Sequence, residues 1–395
     1  MKLFLFYLSC FFGFIAGHMV NYSAIMYSLQ TFDSSLLAGV AYSLCFGPPI
    51  VFGWLAGSYI DRYSAKKVLL VSQNSFILGV TGMMLVMLYE PDHSIFYFLL
   101  SSFFVGIAWS FVAPSRLAAV GQYVSREKMP QAMIVLNLLI MLGFGLAPVL
   151  LTQIQEQVGW PGVAMTCMAL FTASSLLLLN APNNHKRLTH QNLKQEWQEC
   201  FAELKKIPVI PQLLFAAIVG YLMMGPMQVV LPQIADHQLG LGNVEKGQYL
   251  GLIALSLIIG GIAAMKLRTV LPIGKSMLFM LLLCGVSLAL LGSITSLWLS
   301  CLVLVIGTTL AGITVSFIVA ALQSFTPEHI RGRVMSIYTI ISQVISATAG
   351  MFAGAIAQGI SVPSGLYAVA LLFVVLTIFL AIKATHLKAF VRFPD

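Results

Sequence analysis

Gly57-Ser58-Tyr59-Ile60-Asp61-Arg62-Tyr63-Ser64-Ala65-Lys66-Lys67 gathers one acid and three bases into a short stretch between two long apolar runs. Charge is scarce elsewhere. Of 395 residues, 59% are hydrophobic and 9% are charged, where soluble domains carry roughly a quarter charged residues. Such a chain cannot cover a water-facing surface. A spanning helix takes about 20 mostly apolar residues, and the apolar runs fall at 3–30, 35–60, 68–89, 95–123, 129–154, 160–181, 209–235, 246–266, 271–292, 297–323, 333–358 and 363–385. Lipid offers the backbone no hydrogen bonds, so these segments are helices. The expectation is an all-α integral membrane protein of twelve transmembrane helices. The opening run, which begins directly after Met1-Lys2, lacks a small-residue cleavage site and reads as a retained first span.

The loops orient the chain. With the N-terminus placed in the cytoplasm, every Lys and Arg except Lys246 falls on that side, as the positive-inside rule asks. The net charge of +8 is therefore a topology signal and does not call for nucleic acid. Both termini are expected in the cytoplasm. The six cysteines are scattered, with neither a metal spacing nor a disulfide framework.

The longest polar stretch, 182–208, separates an N-terminal six-helix bundle (1–181) from a C-terminal one (209–395). Within it Leu193, Trp197, Phe201, Leu204 and Ile207 fall on one helical face. That amphipathic helix either lies on the membrane surface or packs on the protein. The halves echo each other: Gly17, Gln30 and Asp33 match Gly220, Gln233 and Asp236, and Ser125-Arg126-Glu127 matches Thr326-Pro327-Glu328. Two pseudo-symmetric bundles place a binding site between them near the midplane.

The stretch from Gly57 to Lys67 resembles the major facilitator superfamily's signature for the loop between helices two and three, with Ser64 in place of its second glycine. Ala113-Pro114-Ser115-Arg116 and Glu328-His329-Ile330-Arg331-Gly332-Arg333-Val334-Met335-Ser336 are similar to the bacterial efflux branch that includes the enterobactin exporter. The resemblance implies the major facilitator fold, with Asp61 facing the N-terminus of helix eleven to hold a cytoplasmic gate. Gly57, Arg62, Lys66, Lys67, Arg116, Arg331 and Arg333 would complete that gate; Arg116 is alternatively read as snorkelling or as holding an anionic substrate. Lys66 and Lys67 are equally read as topology determinants. Gly143, Gly145, Ala147 and Pro148 resemble the helix-five motif of exporters, Ala147 standing where that motif has glycine. A kink with no directional meaning is the alternative there, as it is for Pro48-Pro49.

Ionisable groups inside membranes are functional candidates. His18, with Asn21 and Tyr22 roughly on its face, is read either as a proton-coupling group or as a hydrogen-bonded bundle histidine. Asp33 and Asp236 fall at external helix ends, read either as helix-end residues or as candidates that collect protons from the outer side. Trp109, Gln228, Phe317 and Gln323 are candidate cavity residues, and packing explains each equally well. No carboxylate falls at mid-membrane, which favours a neutral or anionic, partly aromatic substrate. The function expected is a secondary active transporter working by alternating access: a proton-coupled exporter of a siderophore-like metabolite or amphiphilic drug in the bacterial inner membrane. An importer or uniporter and a transporter-like sensor are the alternatives. The seven histidines are dispersed, and there is no nucleophile elbow, phosphate loop or metal cluster, so no enzyme, cofactor or metal is expected. The partners are a small molecule, protons and the bilayer, with the chain monomeric.

Overall fold

The computed structural model describes the backbone of residues 2–124, 129–179 and 193–391. Residues 182–192 of the linker, Ser125-Arg126-Glu127, and the side chains at Gly57, Asp61, Arg62, Glu328 and His329 lie outside the described residues. Every regular element among the described residues is a helix: α1 Lys2–Gln30, α2 Ser35–Phe46, α3 Pro49–Tyr63, α4 Ala65–Tyr89, α5 Ser94–Tyr123, α6 Met129–Leu179, α7 Leu193–Lys206, α8 Val209–Tyr221, α9 Met224–Val229, α10 Leu231–His237, α11 Asn243–Leu267, α12 Ile273–Leu291, α13 Leu297–Phe325, α14 Glu328–Gly359, α15 Val362–Lys383 and α16 Thr385–Ala389.

Among the described residues, eleven stretches are long and apolar enough to cross a bilayer. One of them, Val135–Leu179, has 45 residues. At 1.5 Å per residue it is about twice the ~30 Å hydrocarbon thickness. It is broken inside α6 at Gly159, whose φ of +69° suits a residue without Cβ. The two arms make two crossings, which gives twelve. The turn is tighter than the sequence suggests, because the helix continues through 155–158 before the glycine.

Prolines set the other breaks. Neither Pro48 nor Pro49 can donate an i→i−4 bond, and the second span divides there into α2 and α3. Gly106 of α5 sits against the Leu44 carbonyl and the Pro48 ring, and a Cβ on it would lie 2.5 Å from Pro48 Cγ. The seventh span, read from sequence as continuous over 209–235, is three short helices. Pro226 and Pro232 lie within its last two pieces and remove the donors that would join them.

Packing divides the chain into two compact units, Met1–Leu188 with Leu231–Ala254 and Thr189–Val230 with Leu255–Asp395. Between membrane helices, association depends on close packing and internal hydrogen bonds. In the first unit α1 lies against both arms of α6. Ser9 Oγ donates to the Ser174 carbonyl at 2.8 Å, and Gln73 Nε2 donates to Ser174 Oγ at 2.6 Å, which ties α1, α4 and α6 together. In the second unit the Tyr221 and Tyr338 hydroxyls pair at 2.7 Å. There Gly312 abuts the α11 backbone at Leu257, and the Gly274 N–H donates to the Phe390 carbonyl at 2.9 Å.

α7 buries Cys200 and Leu204, half-buries Trp197 and leaves Phe201 48% exposed. The helix therefore packs on its own unit through 197, 200 and 204, with Phe201 turned outward. Burial pushes the Cys200 thiol up, and Arg333 beside it pulls the other way.

Candidate functional site

One face of α1 presents His18, Asn21 and Tyr22 to the first unit's interior. Phe14, His18 and Tyr22 recur every fourth residue, so they stack on one side of the helix. Gly13, Gly17 and Asn21 form the adjoining row. α5 runs antiparallel and seats its two largest side chains on the glycines. A Cβ on Gly17 would lie 2.6 Å from Trp109 Cζ2, and one on Gly13 would strike Arg116 Nη2. Trp109 Nε1 donates to Asn21 Oδ1 at 3.2 Å. The His18 ring lies 5.3 Å from both Trp109 and Phe144, and Tyr22 packs on Phe144 at 5.8 Å. His18, Asn21 and Tyr22 of α1 are thus brought together with Trp109 of α5, distant in sequence. Neither His18 nitrogen has a hydrogen-bond partner, nor do Asn21 Nδ2 and Tyr22 Oη.

The other cavity candidates lie elsewhere. Gln228 and Phe317 are buried in the second unit, and Gln323 is exposed in the last turn of α13. Asp33 is exposed in the turn between α1 and α2 with φ +48°.

Asp236 marks a second cluster, at the end of the first unit where α1 finishes. Gln30 Nε2 donates to Asn243 Oδ1 at 3.1 Å, Asn243 Nδ2 donates to Gln155 Oε1 at 2.9 Å, and Gln155 Nε2 reaches Gln30 Oε1 at 3.5 Å. Three amides from α1, α6 and α11 close a ring. Beside it Ser35 Oγ donates to Gln233 Oε1. Lys246 Nζ lies 3.1 Å from Asp236 Oδ1, with the lysine side chain 8% exposed and the aspartate 50%. Below the ring, the helix-five motif forms a seam with α11. A Cβ on Gly145 would lie 2.6 Å from Ala254 Cβ, one on Gly251 2.9 Å from Val149 Cγ2, and one on Gly247 2.6 Å from the Pro148 carbonyl oxygen. Gly143 instead faces Phe14, and Ala147 is buried.

Asp236→Asn would leave the buried Lys246 ammonium unpaired. Removing one partner of a buried pair is costly, and the aspartate's partial exposure reduces that cost. Asp236→Asn is expected to destabilise the protein by about 1–2 kcal/mol, and adding Lys246→Met is expected to recover the loss. Thermal unfolding of the single and double variants measures both effects.

At the basic end Lys66 Nζ donates to the Leu179 carbonyl at 2.8 Å, and Lys67 is exposed. Arg331 reaches the Thr326 carbonyl at 3.3 Å, Arg333 is half-buried, and nothing crowds Gly332. Arg116 is not at the helix end but enclosed in the interior beside Cys10 and Phe14. Ser64 has φ +85° and ψ 145° and caps α4 by accepting from the Lys67 N–H. That region is close to glycine-only and costs about 1–3 kcal/mol, whereas replacing a serine cap by glycine loses only a few tenths. Ser64→Gly is therefore expected to stabilise the protein by about 0.5–1 kcal/mol after glycine's added chain entropy, read as a rise in Tm.

Sequence reasoning missed Gln155, Asn243 and Phe144. No motif marks Gln155 or Asn243, and Phe144 stands unremarked between Gly143 and Gly145 of the helix-five motif; Lys246, the one basic residue off the basic side, pointed to the end where Gln155 and Asn243 lie.

Twelve apolar crossings with polar side chains buried among them are those of a multi-pass membrane protein. The family model of the Major Facilitator Superfamily matches residues 4–350, and the chain belongs to that superfamily, which makes it a transporter and not an enzyme. It is 26% identical over 313 residues to the enterobactin exporter EntS of Shigella boydii serotype 4 (strain Sb227), covering 78% of this chain and 73% of that protein. It is 25% identical to EntS of Escherichia coli O1:K1 / APEC over the same length and shares. Among solved structures, a POT family transporter in complex with 5-aminolevulinic acid superposes with a TM-score of 0.79 at 11% identity, over 98% of this chain and 96% of that one. A bacterial homolog of the human lysosomal transporter Spinster, inward-facing and unoccupied, superposes with a TM-score of 0.73 at 14% identity, over the same shares. These structural likenesses carry the fold alone.

Proposed function

We propose that the chain is a proton-driven exporter of the bacterial inner membrane, carrying a siderophore-like metabolite or amphiphilic drug outward by alternating access. Its halves, 1–181 and 209–395, rock about the linker 182–208, with both termini in the cytoplasm. The observation that carries export is the likeness to enterobactin exporters across 313 residues. The helix-five motif supports it, since Gly145 and Pro148 lie on the seam with α11. Asp61, Arg62, Lys66 and Lys67 act at the cytoplasmic gate with Arg331 and Arg333. The ring of Gln30, Gln155 and Asn243 acts at the external one. Cargo moves along His18, Asn21, Tyr22 and Trp109, with His18 the group that exchanges the proton.

Inside-out vesicles with an imposed interior-acid gradient test this reading, with uptake of siderophores and amphiphilic dyes followed. Uptake that stops when the gradient is collapsed is the expected result. Gradient-independent flux, or substrate leaving the vesicles, would overturn it and favour an importer or uniporter.

A further inference from the structure

Arg116 is the largest wholly enclosed side chain among the described residues, 1% exposed. It lies in α5 seven residues before Tyr123, about 10 Å from the helix end at 1.5 Å per residue. Its guanidinium stays charged under all ordinary conditions. A buried charge without a partner costs several kcal/mol, and an ionisable group within a membrane span is a functional candidate by default.

Its surroundings do not neutralise it. Nη1 donates to the Cys10 carbonyl at 3.1 Å, and the guanidinium carbon stands 4.0 Å from the centre of the Phe14 ring. Nε and Nη2 have no acceptor, and no carboxylate pairs with it among the described residues. The site is nonetheless built for a guanidinium, because only a glycine at 13 leaves room for Nη2.

Each of the neighbouring unmet side chains can also donate. Along the same side of α1 stand His18, Asn21 Nδ2 and Tyr22 Oη, none of them partnered. A buried surplus of donors around a fixed positive charge calls for an anion. The aromatic wall of Phe14, His18, Trp109 and Phe144 calls for a flat apolar body attached to it. We infer that Arg116 is the docking point for a carboxylate-class acid group on an aromatic solute, whose body lies along His18 toward Tyr22. This rests on the proposed cargo path along α1 and α5.

The test uses the full chain in lipid nanodiscs and follows thermal unfolding with benzoate, its neutral counterpart benzamide, or chloride at one matched concentration. A ligand that binds only the folded state raises Tm. Benzoate is expected to raise the Tm of the wild type, benzamide to leave it unchanged, and chloride to act more weakly. Arg116→Gln is expected to abolish the benzoate response. Arg116→Lys, which keeps the charge but loses the planar fork, is expected to weaken benzoate about tenfold, and it serves if the glutamine variant does not fold. The inference is overturned if benzoate and benzamide act alike on the wild type, or if the benzoate response survives in Arg116→Gln or is undiminished in Arg116→Lys. An equal response to chloride would assign the site to a free inorganic anion and overturn the carboxylate assignment. Binding is read without any gradient, so this result is independent of transport direction and proton coupling.

Discussion

Asp61→Asn is expected to lower gradient-driven flux by an order of magnitude or more while leaving expression and Tm close to the wild type. The substitution keeps the shape of the side chain and removes only its charge. Asp61 stands two residues before the end of α3, and the superfamily resemblance gives it the N-terminus of α14 as partner. α14 begins after Pro327, which supplies no side-chain cap, and only its carbonyl accepts locally, from the Ile330 N–H at 3.1 Å. A carboxylate at a helix N-terminus is worth up to about 2 kcal/mol in partly buried geometry. At 1.4 kcal/mol per factor of ten, that would change the gate equilibrium by more than tenfold. Flux in inside-out vesicles, with Asp61→Glu as the charge-preserving control, measures it. Wild-type flux in Asp61→Asn would remove Asp61 from the gate.

Gly247→Leu is expected to have a comparable effect at the other end. A Cβ at Gly247 would strike Thr152 Oγ1 and lie 2.6 Å from the Pro148 carbonyl oxygen. The second neighbour is backbone and cannot rotate away. Overpacking of this kind costs about 1–3 kcal/mol, and it falls on the arrangement in which α6 and α11 touch. The variant should keep its packing elsewhere, lose most of its flux, and let an impermeant thiol reagent reach a cysteine placed at Asn21, which is fully buried in the wild type. Unchanged flux with Asn21→Cys still protected would show that the seam does not move.

The fold was legible because bilayer physics leaves few choices. Scarce charge, runs of about 20 apolar residues and basic residues clustered in alternate loops are one-dimensional signals. The break at Pro48-Pro49 was readable for the same reason, since a missing N–H is a local property. Pro226 and Pro232 carry the same information but sit within an apolar run that looks continuous. The site was less legible because it depends on helix register. Arg116 lies about two turns inside its helix by counting, but nothing in its own segment says that Gly13, over a hundred residues earlier, makes room for its guanidinium. The amides of Gln30, Gln155 and Asn243 lie at helix ends where polar residues are ordinary. Only the approach of three separate helices makes them a ring.

The claim most open to direct test is that the end closed by Gln30, Gln155 and Asn243 must open during transport. Gln30 and Asn243 are already joined by a 3.1 Å side-chain hydrogen bond, so a short, membrane-permeant bis-methanethiosulfonate reagent can bridge Gln30→Cys and Asn243→Cys through two reducible disulfides. Uptake into inside-out vesicles should be measured for this pair after bridging and again after reduction. Flux is predicted to fall to background when the pair is cross-linked and to recover once it is reduced. Equal flux in the two states would contradict an opening at that end.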